Sequence, residues 1–245
     1  MGRKGVLSPK GYGKSMTKDV FTFRQFAVRQ DCCAMKVGTD GVLLGAWADG
    51  GARILDIGAG TGVISLMMAQ RFPGSLIDAV EADAGAAKQA AANAKPFPQV
   101  TIHAVRLQDW EPREPYDCIV SNPPFFIDSL KNPSRQRSLA RHDVDLSFSD
   151  IVSFAKRWLT RTGQLSVILP TEVVEQFSET AYLSGFRMCR QSLVKTTERK
   201  PFKRQLLAFT KSVSRPLVRT EHCLLQADGS RSEWYADITK DFYIR

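Results

Sequence analysis

The sequence predicts an α/β fold built on a mostly parallel, doubly wound sheet of seven strands with helices on both faces. Short apolar runs alternate along the chain with longer segments in which apolar residues recur at helical spacing. A glycine-rich turn follows the first clear apolar run, as is typical of a tight connection from a strand to a helix. Strands that alternate with helices pair in parallel, because each helix returns the chain across the sheet.

The strands are predicted from short apolar runs that end at glycine, proline or charged residues. Strands buried on both faces appear as continuous apolar runs rather than as alternating patterns. The seven strands are predicted at residues 52–57, 76–80, 100–105, 116–120, 165–169, 186–193 and 205–210. Residues 217–225 are a candidate for a further strand, and residues 21–26 are predicted to form a short strand or an ordered arm.

The helices are predicted from apolar periodicity and from capping residues. They are expected at residues 39–47, 61–71, 83–94, 149–159, 171–183 and 232–242. Thr39 or Asp40, Asp83 and Thr171 are of the types that cap helix N-termini. Gly163 is expected to end the fourth helix, because glycine commonly follows the last helical turn.

Length and composition predict one domain with a basic extension. The 245 residues, 43% of them hydrophobic, are enough for one sizeable core. Residues 1–20 are rich in glycine, lysine and serine and lack the apolar segment of a secretory signal. We therefore expect a flexible basic leader at residues 1–20 and a single domain with a short N-terminal arm at residues 21–245.

The five cysteines predict a reducing compartment. Their number is odd, two of them are adjacent, and the chain has no Cys-x-x-Cys pair. These features are not those of a disulfide framework or of a zinc site. No apolar run reaches the roughly 18 residues that a membrane helix needs. We expect a cytoplasmic monomer that uses no metal and has no membrane partner.

The net charge of +9 is concentrated in two segments. Between Arg187 and Arg219 the chain has ten basic residues and one acidic residue, Glu198. The later part of the loop after Asn122 adds Lys131, Arg135, Arg137 and Arg141. Such clusters are typical of proteins that bind a polyanion, and nucleic acid is the first candidate. A solvated basic face without a partner is the alternative that charge alone leaves open.

A glycine-rich turn, Asp56-Ile-Gly-Ala-Gly-Thr-Gly62, follows the first predicted strand of the sheet. Gly58, Gly60 and Gly62 permit a tight turn and the close approach of a ligand. Their spacing differs from the dinucleotide pattern Gly-x-Gly-x-x-Gly, which weakens an NAD interpretation. Asp56 is expected to point a carboxylate into the crevice, where it suits an ammonium group better than a pyrophosphate.

Two further acids follow predicted strands. Glu81, at the end of the second strand, is placed to accept hydrogen bonds from both hydroxyls of a ribose. Asp109 follows the third strand and is placed to accept from an adenine amino group. A ligand with a ribose, an adenine and a cationic group in place of phosphates fits S-adenosylmethionine. A glycine turn that only packs a helix against a strand is the alternative.

The fourth strand ends in Asn122-Pro123-Pro124-Phe125. Two successive prolines donate no backbone hydrogen bonds, and their carbonyls remain available as acceptors. The Asn122 and Pro123 carbonyls suit a planar substrate that bears an NH₂ group, and Phe125 suits stacking on its ring. These groups favour in-line methyl transfer from a sulfonium to nitrogen, with positioning as the main contribution. A simple Asn-Pro turn is the alternative.

Together the two motifs resemble the Rossmann-like class I S-adenosylmethionine-dependent methyltransferases that act on an exocyclic or amide nitrogen. The stretch Ala34-Met-Lys-Val-Gly-Thr-Asp-Gly-Val-Leu-Leu-Gly-Ala-Trp47 is similar to one subfamily among them. That subfamily is the bacterial tRNA (adenine-N6)-methyltransferases, which modify the adenosine 3′ of the anticodon of valine tRNA, adenosine 37. The resemblance covers residues 20–245 and implies S-adenosylmethionine as cofactor and a tRNA anticodon loop as partner.

The resemblance also implies a role for each motif residue. The positions implied to bind the cofactor are Lys36, Gly38, Thr39, Asp40, Asp56, Gly58, Gly60, Gly62, Glu81, Gln108 and Asp109. Among them, Glu81 would hold the ribose, while Gln108 and Asp109 would face the adenine. The positions implied to hold the target base and to carry catalysis are Asn122, Pro123, Pro124 and Phe125. Phe125 is a departure, because many relatives have tyrosine there.

Four alternatives remain open from the sequence. DNA adenine methyltransferases usually have aspartate where this chain has Asn122. Enzymes that methylate the glutamine of peptide release factors share the tetrapeptide, but they carry a helical domain ahead of the glycine loop. Enzymes that methylate guanine N2 of ribosomal RNA resemble Asn-Pro-Pro-Phe followed by histidine, where this chain has Phe126. A basic RNA-binding module without catalytic activity would have lost Asp56, Glu81 or Asn122, and all three are present.

Overall fold

A computed structural model describes residues 19–33, 36–124 and 146–244. The predicted leader lies outside these residues except for its last two positions. Phe125 and the basic loop at residues 131–141 also lie outside them. Within the part of the chain that the structure describes, no helix is long and apolar enough to cross a membrane.

The centre of the fold is a sheet of eight strands, preceded by a small hairpin. The hairpin consists of β1 (Val20–Thr22) and β2 (Ala27–Arg29). The strands of the sheet are β3 (Arg53–Ile57), β4 (Leu76–Glu81), β5 (Val100–Ala104), β6 (Tyr116–Ser121), β7 (Leu159–Pro170), β8 (Arg187–Lys195), β9 (Phe202–Thr210) and β10 (Val218–Cys223). Their order is β10-β8-β9-β7-β6-β3-β4-β5. The seven predicted strands are present, and β10 makes the eighth.

The strand directions confirm the predicted mostly parallel sheet. β7, β6, β3, β4 and β5 are parallel neighbours. β9 is antiparallel to both β7 and β8, and β10 is parallel to β8. The loops at the carboxyl ends of the five parallel strands therefore share one edge of the sheet, where ligands bind in such folds. We call it the carboxyl edge and the opposite one the amino edge.

Helices cover both faces of the sheet. They are α1 (Thr39–Trp47), α2 (Val63–Arg71), α3 (Ala84–Ala94), α4 (Phe148–Trp158), α5 (Val174–Leu183) and α6 (Glu233–Thr239). Ile54 of β3 lies in the hydrophobic cluster with α1, α2 and α6, whereas the next residue, Leu55, lies in the cluster with α4 and α5. Successive residues of a strand point to opposite faces, so β3 is buried on both sides, as its continuous apolar run predicts.

Three predictions of residues that cap or end helices are wrong, although α1 spans residues 39–47 as predicted. Gly38, not Thr39 or Asp40, is the N-cap of α1, and no side-chain hydrogen bond caps this helix. The hydroxyl of Thr171 donates to the Phe202 carbonyl (3.0 Å) instead of capping a helix. Gly163 lies inside β7, because α4 passes directly into that strand. A Cβ at Gly163 would lie 2.7 Å from the Asp117 carbonyl oxygen, so glycine is needed there for strand packing.

Candidate active site

Strand register places the predicted motifs side by side at the carboxyl edge. Ile57 at the end of β3 pairs with Ser121 of β6 on one side and with Val80 of β4 on the other. The Ser121 hydroxyl also donates to the Ile57 carbonyl (2.9 Å). The residues that follow, Gly58, Asn122 and Glu81, therefore leave neighbouring strands at the same level. β5 and the 3₁₀ turn that follows it extend this row on the far side of Glu81.

The three glycines of the loop have different structural roles. All three have positive φ: +72° at Gly58, +55° at Gly60 and +81° at Gly62. A Cβ at Gly60 would meet no atom within 4 Å, and one at Gly58 would meet only Leu146, at 3.9 Å. A Cβ at Gly62 would lie 3.4 Å from the Ala90 Cβ, because α2 approaches α3 closely. Gly58 and Gly60 thus border open space, while Gly62 lies in contact distance of α3 and needs glycine for its positive φ.

Glu81 is held in place by the loop that it faces. Its carboxylate accepts hydrogen bonds from the backbone amides of Gly60 (2.8 Å) and Asp83 (2.9 Å), one at each oxygen. Each carboxylate oxygen can accept a second hydrogen bond. The half-buried side chain is therefore oriented with acceptor capacity left over, as binding a pair of ribose hydroxyls would require.

Asp56 lies beneath the loop rather than open in the crevice, so its predicted position is wrong. The side chain is fully buried, and one carboxylate oxygen accepts from the Ser65 hydroxyl (2.6 Å) and the Ser65 amide (3.1 Å). The other oxygen, Oδ1, has no hydrogen-bond partner. Burial raises the pKa of this carboxyl to about 6, and the nearby Glu81 charge adds to the shift. A buried acceptor without a partner suits a cationic ligand nearby.

The start of α1 lies against the start of α2. A Cβ at Gly41 would come 3.2 Å from Cγ1 of Val63, the first residue of α2. Residues 36, 38 and 39, at and before the start of α1, are exposed. Asp40 instead forms an ion pair with Arg204 of β9, at 2.7 Å. Its carboxylate therefore connects α1 to the antiparallel part of the sheet.

The predicted adenine positions follow β5 in the 3₁₀ turn Leu107–Asp109. The Gln108 amide donates to Asp150 (3.1 Å), and Asp109 is exposed, with its carboxylate 3.9 Å from Arg106. Asp150 belongs to a capping box with Ser147 at the start of α4. This contact was missed, although the Ser-x-x-Asp pattern of the capping box is visible in the sequence.

The tetrapeptide begins at the end of β6. Asn122 and Pro124 are half-buried, Pro123 is buried, and Phe125 lies outside the described residues. Where the description resumes, Leu146 lies over Gly58 and Phe148 packs edge-on against Phe177 of α5 (5.1 Å between ring centroids). Leu146, two residues before α4, thus lies above the glycine loop, a contact that no local pattern predicts.

The N-terminal arm is fastened to the loop by one amide, that of Asn93 in α3. Its Nδ2 donates to the carbonyls of Arg29 and Thr61, both at 2.9 Å, and its Oδ1 accepts from the Arg29 amide (3.0 Å). Gln30, the next residue of the arm, is buried and accepts from the Val37 amide (2.9 Å). The arm therefore positions both the glycine loop and the segment before α1.

Strand pairing divides the predicted basic surface between two edges of the sheet. Arg204 of β9 lies opposite Pro170, so the β8–β9 turn stands beyond the carboxyl end of β7. The cations at this turn are Lys195, Arg199, Lys200, Lys203 and Arg204. Arg187, Lys211 and Arg215 lie at the amino edge, and the side chain of Arg190 reaches Asp49 there (2.6 Å). Arg219 of β10 lies between the two groups, at the level of Gln191 of β8. The segment is therefore two surfaces, not one.

The described residues do not group into a metal centre. Across residues 19–33, 36–124 and 146–244, no three His, Cys, Asp or Glu side chains are grouped so that they could hold an ion. All five cysteines are free thiols, of which Cys118 and Cys189 are buried.

Known proteins provide an independent comparison. The family model of the methyltransferase small domain matches residues 40–176. Among solved structures, a predicted O-methyltransferase of Agrobacterium tumefaciens has a TM-score of 0.67 at 18% identity, with 83% of this chain and 96% of that chain covered. TYW2 of M. jannaschii, solved in complex with AdoMet, has a TM-score of 0.53 at 13% identity, with 81% and 86% covered. These likenesses establish the fold.

Curated relatives extend over nearly the whole chain. A protein of Phocaeicola vulgatus is 45% identical over 237 residues, covering 94% of this chain and 99% of its own length. A protein of Pseudoalteromonas translucida is 38% identical over 229 residues, covering 92% and 98%. Both are named tRNA1(Val) (adenine(37)-N6)-methyltransferase. The chain belongs to the family of tRNA1(Val) (adenine(37)-N6)-methyltransferases.

Proposed function

We propose that the chain methylates N6 of adenosine 37 in valine tRNA, with S-adenosylmethionine as methyl donor. The observation that carries the proposal is the register at the carboxyl edge, where Asn122 and Gly58 leave neighbouring strands at the same level. Neighbouring strands lie about 4.8 Å apart, so a ligand on the glycine loop and a base at Asn122 would be within reach of each other.

The residues of the loop fit S-adenosylmethionine. Gly58 and Gly60 border open space, Glu81 has acceptor capacity for the ribose hydroxyls, and the partnerless oxygen of Asp56 lies below the loop. The exposed start of α1 would close over the methionine end, and Gln108 and Asp109 would face the adenine. When bound, the cofactor supplies an electrophilic methyl group on a sulfonium.

Asn122 and the two prolines would hold the target base. The side-chain carbonyl of Asn122 and the backbone carbonyl of Pro123 each accept a hydrogen bond from the N6 amine. Two such bonds turn the nitrogen lone pair out of conjugation with the ring and aim it across the edge toward the loop. Phe125 would stack on the base, which contributes about 1–3 kcal/mol in comparable sites.

Acid–base catalysis has a small part in this proposal. The amine becomes cationic as the new bond forms and then loses a proton readily to water. The contribution of the protein is mainly orientation, which supplies on the order of 7–11 kcal/mol at best. An anticodon-loop adenosine is unpaired, so its extrusion costs less than that of a base in a duplex.

The remaining features of the proposal concern assembly. Residues 21–245 act as one domain and as a monomer, with residues 1–20 as a basic leader. The tRNA backbone is held by cations at the carboxyl edge and by the basic loop at residues 131–141.

The direct test uses purified protein and radiolabelled S-adenosylmethionine, with unmodified valine tRNA and a peptide release factor in separate reactions. We expect label in the tRNA, and digestion to nucleosides should yield N6-methyladenosine. Label in the release factor would instead assign the chain to glutamine methylation. Methylguanosine in the digest would overturn adenosine as the target.

A further inference from the structure

The tip of the β8–β9 hairpin carries three cations that have no acidic partner. Arg199, Lys200 and Lys203 are exposed, and none of them forms an ion pair within the described ranges. The one acid of the turn, Glu198, is neutralised by Lys195 at 3.0 Å. The hairpin tip, residues 195–203, thus has a net charge of +3, because four cations oppose the single charge of Glu198, and the three unpaired cations face solvent.

The hairpin tip is braced. Beyond the ladder between β8 and β9, the amides of Leu224 and Leu225 donate to the carbonyls of Lys195 (3.0 Å) and Thr196 (2.9 Å). Within the turn, the Lys200 amide donates to the Thr197 carbonyl (3.0 Å). A braced turn loses little conformational freedom when it binds, so its cations favour association more than those of a loose loop would.

Strand register gives the distance from the hairpin tip to the target site. Ser121 is level with Val167, and Val167 is level with Leu207 of β9. Lys203 lies four residues further toward the carboxyl edge, which at about 3.4 Å per residue is roughly 13 Å. β9 is two strands from β6, about 10 Å sideways, and Arg199 and Lys200 lie further out still. The tip cations are therefore about 20 Å from the end of β6.

We propose that the hairpin tip binds the phosphates of the RNA duplex that flanks the target loop. This inference rests on the proposed function. At about 3.4 Å per base step, 20 Å corresponds to roughly six steps of a nucleic-acid helix, which is too far for contacts to the target base itself. Phosphate contacts position an RNA without reading its sequence, so the hairpin tip sets the orientation of the stem while Asn122 receives the base.

The amino edge supplies a matched control. Arg161, Arg187 and Arg215 are also exposed and form no ion pair in the described structure, but they lie at the opposite end of the strands. Replacing either set of three by alanine removes the same charge. The tip variant is R199A/K200A/K203A, and the control variant is R161A/R187A/R215A.

The experiment measures binding of two RNAs to both variants and to the unchanged protein between about 50 and 200 mM salt. One RNA is the anticodon stem-loop of valine tRNA, and the other is an unpaired oligonucleotide with the loop sequence alone. We expect the tip variant to bind the stem-loop at least about tenfold more weakly at physiological salt and to lose about 2–3 from the slope of log affinity against log salt. Its affinity for the loop oligonucleotide should stay unchanged.

The control variant should bind both RNAs like the unchanged protein. Both variants should bind S-adenosylmethionine normally and unfold at the same temperature as the unchanged protein. Equal losses of stem-loop affinity in both variants would mean that the basic charge acts diffusely, and an unchanged affinity in the tip variant would mean that the stem lies elsewhere. Either result overturns the inference. Methylation of tRNA by the unchanged protein would still uphold the proposed function. Binding of a release factor that depends on the tip cations would overturn both.

Discussion

The two edges of the sheet use the same residue types for different purposes. At the amino edge, carboxylates connect elements of the fold: Asp49 accepts from Arg190 (2.6 Å) and from Gln164 (2.9 Å), and Asp117 accepts from the Arg53 amide (3.1 Å). At the carboxyl edge, Glu81 accepts from two backbone amides, and Gly58 and Gly60 beside it border open space. The acids of the amino edge therefore stabilise the fold, whereas Glu81 lies beside space that a ligand can occupy.

The largest expected effect is the loss of turnover on replacing Asn122 at the carboxyl edge. Asn122→Ala removes a carbonyl and an amide that hold the amine, and we expect a loss of turnover of about 10³-fold or more, comparable to deletion of a donor that stabilises a transition state. Cofactor affinity should remain nearly unchanged. Thr162→Ala, an exposed change at the amino edge, is the matched control and should leave turnover intact. Turnover retained in Asn122→Ala would remove this residue from the mechanism.

The second effect is a pH dependence of stability that arises from Asp56. Its pKa in the folded chain, about 6, is higher than the ordinary value of 3.8, so between these values the folded state holds a proton that the unfolded state has released. The stabilisation is complete below about pH 4 and is lost as pH rises through about 6, by on the order of 3 kcal/mol in the absence of ligand.

Urea unfolding of the unchanged protein and of Asp56→Asn at several pH values measures the contribution of Asp56 to the free energy of unfolding. The variant cannot ionise at this position, so its free energy of unfolding should rise relative to that of the unchanged protein as pH increases from 4 to 7. Parallel stability curves would show that Asp56 has an ordinary pKa. Saturating S-adenosylmethionine should reduce the difference if its ammonium group stabilises the carboxylate.

Isosteric changes of one carboxylate at each edge test whether the two edges have different functions. Glu81→Gln should weaken cofactor binding about 10- to 100-fold, because a charged acceptor for the ribose is lost. Asp117→Asn should leave cofactor affinity unchanged and lower the free energy of unfolding by about 1 kcal/mol, since its partners are all within the protein. Calorimetric titration with cofactor and urea unfolding separate the two outcomes. Similar losses of cofactor affinity in both variants would contradict the distinction between the edges.

The smallest effect tests a pair at the carboxyl edge that resembles those at the amino edge. Gln108 donates to Asp150, so Gln108→Ala should weaken cofactor binding only about two- to fivefold, through a less well positioned turn. Asp150→Ala should have a similar effect, and the double variant should show no more than either single one. Additive losses would indicate that Gln108 and Asp150 act on cofactor binding independently.

Most of the fold could be predicted because its signals are local. Continuous apolar runs gave the seven strands, and Asp83 caps α3 as expected, accepting from the Ala86 amide at 2.7 Å. Gly163 and Thr171 were misassigned because tertiary contacts, to Asp117 and Phe202, decide their surroundings. Local propensity contains no information about which strand will lie beside a residue in the folded protein.

The candidate site was predicted in outline but not in its supports. The order of Gly58, Glu81 and Asn122 along the edge follows once a parallel sheet is assumed. Ser65 under Asp56, Asn93 under the loop and Arg204 on Asp40 are contacts across 9, 32 and 164 positions of the chain. Such contacts are determined by tertiary packing, and the local sequence around either residue does not predict them.

Asn93 has a consequence for the order in which the molecule is made. The ribosome synthesises the arm first, yet Arg29 can be fastened only after residue 93, 64 positions later, has emerged and α3 has formed. The same amide holds the Thr61 carbonyl, so the glycine loop gains its final support in the same event. A nascent chain therefore completes its cofactor site late, when the N-terminal arm docks onto a helix that is synthesised after it.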